Sequence, residues 1–387
     1  MPNTPFAHRV VCLTLVVVLL RLAAPAASLQ QRQYLYVAVP GVDSDSSPTS
    51  AGTPTSPEPE SAGVSLLVFD IAQGHKFVRR MPLWPRAQEP ERVRGLTVAS
   101  APGGTAGSPT PGASRLYMST TRRLAAIDPM DGRVIWEHEY EGHCCERPAV
   151  SPDGRSIYAP ALGSPVWYVI DAATGTVTTT IPVVGWPRST AYARDGRHVY
   201  LAAWESRSLS VVDAASKAIT AEAGPFTGFM CPFTINRKAS MAFANVDGLV
   251  GFEVVDLLTG LLLDRVQIDD YQPDELQQFE CPSHGIAFTP DEKELWVADG
   301  VGNRLRVFDS VPYPPVEKVS IQLARQPRWI TMGADGRYAY ASTGEVVDVS
   351  QKRIVGVLKD DGGRLVESER MAEIATVLPA AGGAPQR

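Results

Sequence analysis

Cys281 and His284 stand three residues apart in CPSHGIAFTPDEKELWVADGVGNRLRVFD (281–309), and His143, Cys144 and Cys145 run consecutively. With Cys231 these side chains are the softest donors in the sequence, and thiolate with imidazole suits copper or zinc. Their spacing follows no zinc-finger pattern. The cysteines also suit disulfides, Cys231 with Cys281 and adjacent Cys144 with Cys145. On spacing alone both readings stay open. The acid pairs Asp269–Asp270 and Asp274–Glu275 read as a solvated face rather than as general acid and base. The sequence has no Gly-x-Ser-x-Gly elbow, no phosphate loop and no His-Glu-x-x-His, so the commonest hydrolase and nucleotide motifs are missing.

The chain opens MPNTPFAHRVVCLTLVVVLLRLAAPAAS, with Arg9 ahead of an apolar run from Val10 to Leu20 and then small residues. That order reads as a secretory signal peptide over residues 1–27, cleaved after Ala26 or Ala27. The run is about half the length of a spanning helix, and Arg21 ends it; an uncleaved anchor is the alternative. The mature protein is expected outside the cytoplasm, secreted, extracellular or periplasmic, with no membrane span. Cys12 leaves with the signal, so an even number of cysteines meets an oxidising compartment. A formal charge of −6 over 387 residues argues against nucleic acid as a partner. Thirty-two Gly and 32 Pro suit a turn-rich all-β chain. A monomer is expected.

A repeat organises the rest. Two apolar residues followed by Asp recur at Asp70, Asp128, Asp171, Asp213, Asp256 and Asp309, and Val347 precedes Asp348. The steps are 58, 43, 42, 43, 53 and 39 residues, and a period near 43 is that of a four-stranded propeller blade. Turns precede the second strand of the unit, as in SPDGR (151–155), RDGR (194–197), TPDEK (289–293) and ADGR (334–337). Short strands follow at even spacing, such as HVYLAA and SLSVVD. The expected fold is all-β, a seven-bladed β-propeller of four-stranded antiparallel blades over residues 34–376. Disordered insertions are expected at 41–63 and 101–114, an acidic insertion at 269–280, and a disordered tail at 377–387. Blade one begins at YLYVAVP (34–40) without a first strand, and RLVESERMAEIATVL has no blade of its own. This C-terminal segment is therefore expected to complete blade one and close the ring.

The units AVSPDGRSIYAPALGSPVWYVIDAATGTV, AYARDGRHVYLAAWESRSLSVVDAASKAI and PSHGIAFTPDEKELWVADGVGNRLRVFD, with the ending GRLVESERMAEI, resemble the secreted YVTN-type β-propeller repeat family. The likeness covers roughly residues 115–376 well and 34–114 loosely. It implies a seven-bladed propeller outside the cytoplasm. It implies little chemistry, because related propellers serve as amine-dehydrogenase heavy chains, lactonases, copper-enzyme domains and surface proteins.

Counting seven residues back from the turn Asp gives Glu146, Arg188, His284 and Arg328; the degenerate turn of blade five gives Cys231, and aligning RGLTVAS with HGIAFTP gives Arg94. These six begin the innermost strands, so they should line one mouth of the central channel. Three arginines against one glutamate would make that mouth positive, and guanidinium groups hold carboxylates or phosphates through paired hydrogen bonds. Arg94, Glu146, Arg188, His284 and Arg328 are thus the expected ligand-binding residues. The function expected is a binding or scaffold propeller without a cofactor, its partner a small anionic molecule, an acidic peptide or another protein. The alternative is an enzyme: a lactonase-like hydrolase needing calcium or zinc, or an oxidoreductase using copper or pyrroloquinoline quinone. AIDPMDGRVIW (126–136) fits the quinoprotein repeat Ala-x-Asp-x-x-x-Gly-x-x-x-Trp. Other units lack the Trp, so Trp136 is expected to pack between blades.

Overall fold

The computed structural model describes residues 31–40, 63–85, 91–100, 114–141, 143–268, 270–272 and 279–377. Residues 1–27, read above as a signal peptide, nearly all of the insertions at 41–63 and 101–114, most of 269–280 and the tail beyond Val377 lie outside the described residues. Seven four-stranded antiparallel sheets form the blades of a ring, and six of them are simple meanders. The innermost strands of blades two to seven are Val93–Ser100, Ala149–Val150, Trp186–Tyr192, Met230–Ile235, Ser283–Phe288 and Ile330–Met332. Blade one takes its innermost strand, Met371–Val377, from the other end of the chain. That strand pairs antiparallel with Gln31–Val39, from Gln31 opposite Val377 to Val37 opposite Met371. The ring closes as the repeat count requires.

The recurring Asp has a local cause. In six blades its side chain accepts from a backbone N–H two or three residues on, which folds the turn between third and fourth strands. The bonds run from Met130 to Asp128, Thr174 to Asp171, Ser216 to Asp213, Thr259 to Asp256, Val311 to Asp309 and Gln351 to Asp348, all 2.7–3.1 Å. Such Asx turns are the reason Asp is favoured there. The amides of Ser216 and Thr259 hold the carboxyls of Asp213 and Asp256 below their usual range. The Asp residues before the second strand act alike: Asp195 and Asp335 each accept from the N–H two residues on, at 2.9 Å. Both sets are turn makers rather than acids or bases.

Second and third strands are buried on both faces, as in IYAP (157–160) and WYVI (167–170). Hence they read as continuous apolar runs rather than alternating ones. The core lies between neighbouring blades. Tyr158, Trp167 and Val169 of blade three pack with Val199, Leu201 and Val212 of blade four. Leu35 and Leu67 of blade one pack with Tyr340 and Val346 of blade seven. The outer strand Arg353–Val357 is exposed throughout. At the base of the acidic insertion the expected solvated face is only partly seen. Asp270 binds the buried Arg306 at 2.7 Å, and Tyr271 donates to Asp299 at 2.7 Å. Arg306 also meets Asp299 (2.9 Å) and Glu317 (3.1 Å).

Trp136 packs between blades two and three. Its Nε1 donates to the Ala172 carbonyl (3.2 Å), and along the same strand face His138 reaches the Thr174 carbonyl (2.9 Å) and Tyr140 that of Gly175 (2.7 Å). Gly175 sits at φ +77°, and a Cβ there would lie 2.3 Å from His138 and 2.6 Å from Trp136. Gly175→Ala should therefore destabilise the protein by about 2–4 kcal/mol, combining left-handed strain with overpacking. Urea unfolding checks this, and a loss below about 0.5 kcal/mol, the usual surface value, would contradict it.

Candidate functional site

Four of the six register positions coincide with a β-bulge. The pairing of first and second strands breaks between Val93 and Gly95, Pro187 and Ser189, Met230 and Phe233, and Ser283 and Ile286. Arg94, Arg188, Cys231 and His284 sit at those breaks. A bulge re-aims a side chain out of the alternating pattern, and here the same device recurs around the ring. All six residues, Arg94, Glu146, Arg188, Cys231, His284 and Arg328, line one cavity of about 330 Å³. The cavity is within the range of small-molecule sites, at its lower end. It carries Arg94, Arg147, Arg188 and Arg328 against Glu146 and Glu280. The mouth is thus positive on an acidic protein.

The six residues hold different partners. Glu146 is buried and lies 3.7 Å from Arg94 and 3.6 Å from Arg370. Arg328 donates from Nε to Glu369 (3.1 Å), and Arg147 and Arg370 each reach the other oxygen of Glu369 at 2.7 Å. Burial alone would raise the Glu369 carboxyl, but Arg370, Arg147, His284 and Arg328 together hold it down to about 2. His284 donates from Nδ1 to the Arg328 carbonyl at 2.8 Å. Burial, helped by Arg147 and Arg328 and opposed by Glu369, lowers its pKa to about 4, so the ring is neutral at pH 7. Arg147 also stacks on Trp329 at 4.1 Å. Arg188 differs from the other two arginines of the register set: it is exposed, stacks on Trp204 at 5.1 Å, and makes no ion pair with a described residue.

Sequence reading missed Arg147, Glu369 and Arg370. Arg147 follows Glu146 directly, and Glu369-Arg370 precedes the closing strand. A second cavity of about 330 Å³ is lined by Arg147, Glu369, Arg370 and Trp329.

The cysteines pair as Cys144–Cys145 and Cys231–Cys281, the latter with Cα atoms 6.2 Å apart. Cys231–Cys281 ties the innermost strand of blade five to the entry of blade six, within the lining of the first cavity. The metal set His143, Cys144, Cys145, Cys231, Cys281 and His284 does not assemble. All four sulfurs are consumed in disulfides, and thiolate is the form that ligates. His143 is exposed. Among the described residues no group of three or more His, Cys, Asp or Glu is placed to hold a metal ion. No helix among them is long and apolar enough to cross a membrane.

No family model and no curated protein matches the chain. Among solved structures it is similar to hydrazine synthase from Kuenenia stuttgartiensis, with TM-score 0.55 and 15% identity over 75% of this chain and 88% of that chain. At that identity the likeness speaks for the fold alone. The chain is a seven-bladed β-propeller with two disulfides and an arginine-lined mouth.

Proposed function

We propose that this propeller is a secreted binding scaffold of the YVTN-repeat type, and that its channel mouth holds a small anionic molecule or the acidic end of a peptide. The observation that carries the reading is Arg188. It lines a cavity with a surplus of guanidinium groups, and among the described residues its charged end meets the Trp204 indole face and no carboxylate. A carboxylate or phosphate there would take two parallel N–H donors and meet a positive field from Arg94 and Arg147. Glu146 and Glu369 hold the neighbouring arginines in place, so the site is preorganised and binding needs no covalent step. The start of the chain, which reads as a signal peptide, and the two disulfides support a place outside the cytoplasm.

Calorimetric titration with acetate and with inorganic phosphate tests this. Arg188→Ala should weaken binding about tenfold or more, the worth of charge-assisted hydrogen bonds, and leave the melting temperature nearly unchanged because Arg188 is exposed and makes no ion pair among the described residues. Equal affinity in wild type and variant would remove the proposal.

A further inference from the structure

The chain's seven tryptophans divide by what they do. Trp84 donates to Glu137, Trp136 to Ala172, Trp167 to Thr190 and Trp296 to Glu294. Trp329 lies under Arg147. Each of these five is engaged within the protein. Trp186 is not. It is 47% exposed and has no hydrogen bond or ring contact with a described residue. It lines the channel-mouth cavity, directly opposite Trp204 across the first pair of strands in blade four. Trp204 carries Arg188 on its face and meets Phe229, itself 40% exposed, at 5.8 Å. Gly185, at φ +84°, lets the chain pass so close that a Cβ would lie 2.3 Å from the Trp204 carbonyl. The backbone thus sets Trp186 and Trp204 opposite one another, and both side chains line the cavity.

An exposed indole beside an available guanidinium presents a flat apolar face next to a carboxylate-sized charge. Indole faces pair with flat aromatic rings by offset stacking or edge contact, and the C–H face of a puckered sugar ring can also lie on them. The cavity's other apolar side chains are Leu162, Pro187, Met230 and Pro232, and its polar ones include Ser189, Glu280 and the ion-paired Glu146, Arg147 and Arg328. A bare aromatic ring needs only the apolar part of that lining, whereas the hydroxyls of a sugar would compete for groups already held in ion pairs, such as Glu146, Arg147 and Arg328. We infer that the anion taken at the mouth is an aromatic carboxylate, its carboxylate on Arg188 and its ring against Trp186. This rests on the anion-binding reading above and narrows it to one chemical class.

The test titrates the full chain with benzoate, acetate and glucuronate, by calorimetry and by tryptophan fluorescence. Benzoate should bind about tenfold tighter than acetate, the contribution of one aromatic contact and its buried area. Trp186→Ala should remove that advantage and leave acetate binding unchanged, while Arg188→Ala should weaken both. Trp186→Leu, which keeps apolar bulk, should also lose most of it, and a thermal melt shows that either variant is folded. Equal benzoate and acetate affinities, both reduced by Arg188→Ala, would overturn the aromatic assignment and leave anion binding standing. Tighter binding of glucuronate than of benzoate would overturn it in favour of a sugar acid. No binding of any of the three would overturn the aromatic-carboxylate assignment, and no binding of inorganic phosphate either would remove the anion-binding reading with it.

Discussion

Glu369→Gln is expected to destabilise the folded protein by about 3–5 kcal/mol at pH 7, the usual cost of removing one partner from a buried ionic cluster. The carboxylate is the shared acceptor of Arg147, Arg328 and Arg370, and its side chain has no exposed area. With an amide in its place, three guanidinium groups stand together without their counter-charge. The pH dependence identifies the cause. The Glu369 carboxyl lies at about 2 when folded, below the ordinary 4.5. Its contribution is therefore complete above pH 4.5 and lost as the pH falls through 2. Linkage over that interval amounts to about 3 kcal/mol, in line with the mutational figure. Urea unfolding of wild type and variant should show a constant gap from pH 7 to 5 that closes below pH 4.5. His284 adds a separate slope in both proteins. Its folded pKa of about 4 lies below the ordinary 6.5, so stability declines as pH falls from 6.5 to 4. A gap that persists unchanged to the lowest measurable pH would mean that packing and not charge is lost. The substitution also strengthens the positive field beside the mouth, so acetate should bind Glu369→Gln more tightly than wild type.

The parts of this site legible in the sequence are those tied to a local rule. Asp171 and Asp213 recur because a turn needs an acceptor at that point, and the period they set locates every blade. Once the blades are in register, the approach of Arg94, Arg188, His284 and Arg328 to one opening follows from the radial arrangement. The bulges at those residues left no sequence signal of their own, since any residue can occupy the extra position. Glu369 and Arg370 escaped because their strand is completed from the far end of the chain, where no turn motif gives a count. Pairing of the cysteines was visible only as one of two possibilities. The choice needed the closeness of blades five and six, which brings Cys231 and Cys281 together across 50 residues. Trp186 looked like any aromatic on a strand, because exposure is a property of the packed ring and not of the residue.

Ending the chain at Arg370 should abolish cooperative folding. The deleted strand Met371–Val377 is the inner strand of blade one, and without it residues 31–37 become an unpaired edge facing the channel. Met371 and Ile374 are 6% and 2% exposed, and losing two such side chains from the core costs about 3–6 kcal/mol. Total stability for a domain is about 5–15 kcal/mol, so that loss alone is a large share before any backbone bond is counted. Glu373 adds a seam of its own. It accepts from the Tyr340 hydroxyl (2.6 Å) and the Ala334 amide (2.7 Å) of blade seven, and His75 Nε2 of blade one lies 3.1 Å from the same hydroxyl. Deleting the strand therefore opens the ring at the seam that holds blades one and seven together. The truncated chain should aggregate or melt without cooperativity, while a chain ended at Val377 serves as the matched control. A synthetic peptide of residues 366–377 supplied during refolding should restore a cooperative transition, because an open edge accepts a strand added in trans. A truncated monomer that melts cooperatively within a few degrees of the control would show that the blades hold together without the closing strand.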